Sequence, residues 1–126
     1  MSDLVRVAVD AMGGDYAPVE PVKGAVEAVN ADERVKVQLV GQVDVIEKEL
    51  QKYTYPKERV EIVPATEIIE TGEPPVNAIR HKKDSSIVVG MKKVRYGEAD
   101  AFVSSGSTGA VLVGGQTIVG RIKGVE

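Results

Sequence analysis

Apolar positions along this chain follow two rhythms: short compact runs or strict alternation, and a three-to-four-residue repeat. Residues 4–9 form an apolar run interrupted only by Arg6, ending at Asp10 and meeting Ala11-Met12-Gly13-Gly14-Asp15. That pattern reads as a first strand running into a glycine-rich turn. Pro18 and Pro21 suit a loop or the first turn of a helix, and Val22, Ala25, Val26 and Val29 then recur at helical spacing. Residues 35–40 alternate and stop at Gly41, a second strand, and Val43, Ile46, Leu50 and Tyr53 mark one face of a second helix. Residues 60–63 make a short third strand closed by Pro64. Strands alternating with helices predict parallel βαβ units.

The rhythm weakens over residues 66–75, where Pro74-Pro75 interrupts any regular element. Beyond it, Asp84 reads as the N-cap of a third long helix, with Ile87, Val88, Met91 and Val94 on its buried face and Lys92, Lys93 and Arg95 mostly outside. Ala101-Phe102-Val103 reads as a fourth strand leading into Ser104-Ser105-Gly106-Ser107-Thr108-Gly109. Residues 110–119 carry β-branched side chains that suit a strand, but their place after a Gly/Ser/Thr loop favours a helix packed under the sheet. No internal repeat, low-complexity linker or internal domain boundary interrupts residues 1–126.

Composition narrows the function. With 43% hydrophobic and 28% charged residues the chain is an ordinary globular one, and with one Phe and four Tyr its core rests on Val, Ile, Leu and Ala. A net charge of −3 offers no footprint for nucleic acid. The absence of cysteine removes disulfides, thiolate catalysis and cysteine-ligated metals, and a single His removes a His-rich metal site. No basic-then-apolar leader opens the chain and no apolar run approaches the ~18 residues of a membrane span, so a cytoplasmic location is expected.

Three clusters could carry chemistry. Asp10, Gly13, Gly14 and Asp15 stand at the carboxyl end of the first strand, where open α/β sheets bind ligands. Glycines there either admit an anion or simply make the turn, and no G-x-G-x-x-G is present. Asp10 reads as holding the loop by hydrogen bonds, and Asp15 as capping the turn that follows. The loop of Ser104, Ser105, Gly106, Ser107, Thr108 and Gly109 can present hydroxyls and N–H groups to an oxyanion, or be a polar loop with an N-cap. It lacks the Gly-Lys-Ser/Thr of a nucleotide P-loop. Arg80-His81-Lys82-Lys83, the densest positive run, can bind phosphate or form a solvated helix face. His81 has no evident partner for acid–base work.

Taken together, residues 9–15, then Ala78-Ile79-Arg80 with Lys82, Lys83, Ser85 and Ser86, then residues 104–110 resemble the PlsX family of phosphate acyltransferases in order and spacing, as do the closing residues 118–126. Family members usually read Ser-Ala-Gly-Asn-Thr-Gly-Ala in the last loop; Ser105 and Ser107 stand at the Ala and Asn positions here, which predicts altered loop hydrogen bonding rather than lost function. The resemblance implies a three-layer α/β/α fold with a mainly parallel sheet, similar to isocitrate and isopropylmalate dehydrogenases and to phosphotransacetylases. It implies transfer of a fatty acyl group from acyl-acyl-carrier protein to inorganic phosphate, giving acyl phosphate for phospholipid synthesis, in a homodimer without a cofactor or metal. Phosphate contacts then fall to residues 104–109 and Arg80, with Lys83 as a second cation, while Asp10, Gly13, Gly14 and Asp15 shape the cleft. Family enzymes are more than twice as long, so the chain reads as an N-terminal portion with half a cleft, an exposed apolar sheet edge and little turnover of its own; any peripheral membrane contact would use regions outside it. The competing reading is a non-catalytic α/β module that binds phosphate or a nucleotide.

Overall fold

The structure, a computed structural model, describes residues 4–70, 72–106, 108–115 and 118. Strand β1 (Val5–Asp10) leads through helix α1 (Val19–Ala31) to β2 (Val35–Gly41), and α2 (Val43–Leu50) with a short 3-10 turn leads to β3 (Val60–Pro64). Helices α3 (Pro75–His81) and α4 (Ser86–Arg95) precede β4 (Ala101–Val103), and α5 (Thr108–Gly114) follows it. The strands form one four-stranded sheet in the order β3-β2-β1-β4, every pairing parallel. The predicted strands agree with these to within a residue or two, and the result is part of a three-layer α/β/α fold.

Strand alternation sorts the core onto two faces. On one, Val37 and Leu39 of β2 pack with Val22, Ala25, Val26 and Val29 of α1 and with Ile46 and Leu50 of α2. Tyr53, expected on α2, lies just beyond the helix and still packs against this cluster. On the other face, Ala8, Val40 and Val63 meet Val89 and Val94 of α4 and Phe102 of β4. Gly90 lets α4 sit directly on β4, since a Cβ there would overlap the Phe102 ring. A third cluster (Ile69, Ala78, Ile87, Met91, Ala110) joins α3, α4 and α5 beside that face.

Two local expectations are corrected. Helix α4 is capped by Ser85, whose hydroxyl accepts from the Val88 N–H at 3.2 Å, and not by Asp84. The Asp84 carboxylate is taken by the Thr66 N–H and hydroxyl, at 3.0 and 2.5 Å, a bond across 18 residues. Residues 75–81, left unassigned by periodicity, form α3, with Pro75 at its start, where a missing N–H costs nothing. Within the expected helix of residues 110–119, α5 ends at Gly114, and Val119 lies outside the described residues.

Candidate functional site

The chain leaves β1 for β2 and β3 on one side, then returns past β1 to place β4 on the other. Right-handed crossovers in both directions put α1 and α2 on one face and α4 on the other. They also leave a topological switch point between the carboxyl ends of β1 and β4, where open α/β sheets take their ligands. Both glycine-bearing loops sit there, residues 11–15 after β1 and residues 104–106 after β4.

Asp10 ties them together. It is the last residue of β1, it is 1% exposed, and strand parity aims it at the α4 face with Ala8. One carboxylate oxygen (Oδ1) accepts from the Met12 N–H at 3.0 Å and from the Ser86 hydroxyl at 2.5 Å. The other, Oδ2, accepts from the Ser104 hydroxyl at 2.7 Å, and Ser104 Oγ in turn accepts from the Gly106 N–H at 3.0 Å. A carboxylate is an acceptor only, so three converging donors are the partners it needs when buried. Residues 76 and 94 positions away along the chain thus close on one side chain.

The glycines allow the approach. A Cβ on Gly13 would overlap Asp10 Oδ2 and lie 2.9 Å from the Gly106 nitrogen. Gly14 has φ +96°, in the left-handed region that favours glycine, and its backbone abuts Ser105. On the far side, Gly109 in the first turn of α5 packs on Pro75 at the start of α3, so the loop after β4 is braced by α3 as well.

The structure therefore unites Asp10, Gly13, Gly14, Ser104, Ser105 and Gly106, with Ser105 the exposed serine of the group. Asp10 holds the loops by hydrogen bonds, as read from the sequence. Asp15 is exposed in the turn that precedes α1, and the N-cap of α1 is Pro18 with no side-chain bond. Ser107 and the side chain of Thr108 lie outside the described residues, though Thr108 opens α5.

The cationic run divides. Lys82 is spent on structure: its ammonium donates to the Ile68 carbonyl at 2.7 Å and pairs with Glu73 at 2.6 Å. The same contact, with the Glu70 N–H, holds the Glu73 carboxyl below its ordinary range. Arg80, His81 and Lys83 are exposed at and just beyond the end of α3 and carry no ion pair among the described residues. Ser85 and Ser86 at the start of α4 are both buried, and it is Ser86 that meets the Asp10 carboxylate; a serine pair at a helix start reads in sequence only as a cap and as part of the resemblance. Among the described residues no group of His, Asp or Glu side chains could hold a metal ion, and no helix is long and apolar enough to cross a membrane.

A family model described as "Fatty acid synthesis protein" matches residues 5–126. The chain belongs to that family. Relatives named phosphate acyltransferase include one from Alkaliphilus oremlandii, 50% identical over 97% of this chain and 36% of its own length. Others come from Clostridium beijerinckii, at 49% identity over 97% of this chain and 37% of the relative, and from Clostridioides difficile, at 48% over 97% and 36%. The chain thus spans little more than a third of the length of the curated relatives it matches. The matched third contains the whole switch-point knot, from β1 through the loop after β4.

Proposed function

We propose that this chain supplies the phosphate-handling side of a phosphate acyltransferase that moves a fatty acyl group from acyl-acyl-carrier protein to inorganic phosphate. The observation that carries the reading is the meeting of two glycine-bearing loops at the switch point of the sheet, fixed by Asp10 and topped by the exposed residue Ser105. Phosphate is held by the loop of residues 104–109 and by Arg80, with Lys83 as a second cation. Arg offers a planar fork and Lys a point charge to an oxyanion.

In the reaction, a phosphate oxygen bonds to the thioester carbonyl carbon and the C–S bond breaks. The proton lost by phosphate balances the one taken up by the departing thiolate. Holding phosphate in line, and donating hydrogen bonds to the carbonyl oxygen as charge builds there, are the tasks left to the protein. No cysteine is needed, and none is present. Asp10 acts at one remove: with both oxygens occupied and the side chain buried, it sets the loops and does not touch substrate.

The test is isothermal titration of phosphate into the protein with and without Arg80→Ala, beside an assay of carrier-thiol release by a full-length enzyme of the family carrying this segment. Phosphate affinity weakened about tenfold or more, matching one lost charged contact of roughly 1.5–3 kcal/mol, is expected. Equal affinity would remove Arg80 from the site, and phosphate binding without thiol release would make the protein a binding module instead.

A further inference from the structure

A serine hydroxyl carries one proton and two lone pairs. In Ser104 the proton goes to Asp10 Oδ2 at 2.7 Å, and one lone pair takes the Gly106 N–H at 3.0 Å. Turning the hydroxyl elsewhere would strip Asp10 Oδ2 of its one partner among the described residues, in a side chain 1% exposed. A buried acceptor left without a donor is costly, so the Ser104 hydroxyl is locked. The Met12 N–H and the Ser86 hydroxyl hold the other carboxylate oxygen and keep Asp10 facing this way. Ser104 itself is half-buried, and its second lone pair takes no bond from any described residue. Towards a ligand this serine can accept and cannot donate.

We propose that Ser104 is a specificity-determining residue of the anion site: as an acceptor it admits an oxyanion that still carries a proton, hydrogen phosphate, and rejects one without, such as sulfate. This rests on the phosphate-handling reading above and adds to it a rule for which anion enters. The two anions are otherwise alike, tetrahedral, of similar size and doubly charged in mildly alkaline solution. Coulombic attraction to Arg80 and Lys83 does not separate them, and neither do N–H donors, which any anionic oxygen satisfies. Only a P–OH can donate to Ser104 Oγ, whereas a sulfate oxygen in that place sets lone pair against lone pair. A site built to pair a ligand's hydroxyl rejects the analogue that lacks it, because the site's own polar group is left unpaired.

The same proton count divides the serine-rich loop. The Ser104 O–H and the Gly106 N–H, two of the donors its sequence offers to an oxyanion, are both spent inside the protein. Gly13 backs so closely onto Asp10 Oδ2 and the Gly106 nitrogen that a Cβ there would overlap the carboxylate, which keeps an anion away from Asp10 itself. The charge of Asp10 thus reaches the ligand only as the fixed direction of the Ser104 hydroxyl. With the protonated oxygen of phosphate held at Ser104, its unprotonated oxygens are the ones left to face the thioester carbonyl.

The experiment is isothermal titration of phosphate and, separately, of sulfate into the protein at mildly alkaline pH, with Asp10→Asn and Ser104→Ala beside the parent. The parent should bind phosphate about tenfold or more tighter than sulfate. Asp10→Asn reverses the polarity: its amide donates to Ser104 Oγ, the Gly106 N–H takes the other lone pair, and the serine proton is freed for the ligand. Its preference for phosphate should fall about tenfold or more, with sulfate bound tighter than by the parent. Ser104→Ala should weaken phosphate and leave sulfate no weaker, and it decides the matter by itself if circular dichroism shows Asp10→Asn to be unfolded. Damage to the loop alone would weaken both anions by the same factor and leave their ratio unmoved. A parent that binds the two anions equally, or a ratio unmoved in the folded variants, overturns the inference and leaves the phosphate site standing. Failure of the parent to bind either anion overturns both.

Discussion

Replacing Asp10 with alanine strips the acceptor from three donors at once, the Met12 N–H and the hydroxyls of Ser86 and Ser104. Net hydrogen bonds to a charged acceptor contribute about 1.5–3 kcal/mol each. The three are not independent, because freed serine hydroxyls can reorient and water can enter the space vacated by the side chain. A loss of about 3–4 kcal/mol is therefore expected, at the upper end for a single substitution. Asparagine is a sharper probe. It keeps one oxygen for Met12 and Ser86 and turns an amide towards Ser104, whose Oγ can accept that donor while still accepting from Gly106. What it loses is the charge on the acceptor, so about 1–2 kcal/mol is expected. Urea unfolding followed by circular dichroism measures both, with unchanged m-values confirming that the same transition is compared. Alanine and asparagine costing the same, or alanine costing less than about 1 kcal/mol, would refute the claim that Asp10 is the bond between the three segments.

Gly24 of α1 and Gly90 of α4 should respond with opposite signs. Gly24→Ala gains helix propensity with nothing in its way and should stabilise by about 0.5–1 kcal/mol. Gly90→Ala puts a methyl into the Phe102 ring and should destabilise by about 1–3 kcal/mol despite the same propensity gain, both read from denaturant midpoints. Asp84 contributes to acid sensitivity: its bonds from the Thr66 hydroxyl and N–H hold its carboxyl below the ordinary value. A folded value below the unfolded one means that its contribution is complete above about pH 4 and is lost as the pH falls through the folded value. Asp84→Asn should accordingly be less stable than the parent at pH 7, and the gap should narrow below about pH 4; a gap that stays constant down to pH 3 would contradict this.

Much of the fold was legible in the chain because the local signals were strong and agreed. All four strands and the helices α1, α2 and α4 came from apolar period and turn residues, since in those segments one buried face dominates. Helix α3 did not, because its seven residues bury only Ala78 fully and its proline start resembles a break. The cap of α4 was misread for a related reason. Asp84 and Ser85 are equally good caps locally, and the choice fell to Thr66, which claims Asp84 from 18 residues away.

The site divides along the same line. Residue types and spacing by themselves marked the glycine-rich turn after β1 and the serine-rich loop after β4 as segments able either to meet an anion or simply to make a turn and a cap, because those properties belong to single residues. They also marked Arg80-His81-Lys82-Lys83, but could not separate Lys82, held by Glu73 and the Ile68 carbonyl, from Arg80 and Lys83, which stay exposed. That the two loops touch, and that a buried Asp10 binds Ser86 and Ser104 together, was decided only by tertiary structure. The crossover from β3 past β1 to β4 brings these residues together, and a crossover is a property of how strands pack, not of any stretch of sequence within them.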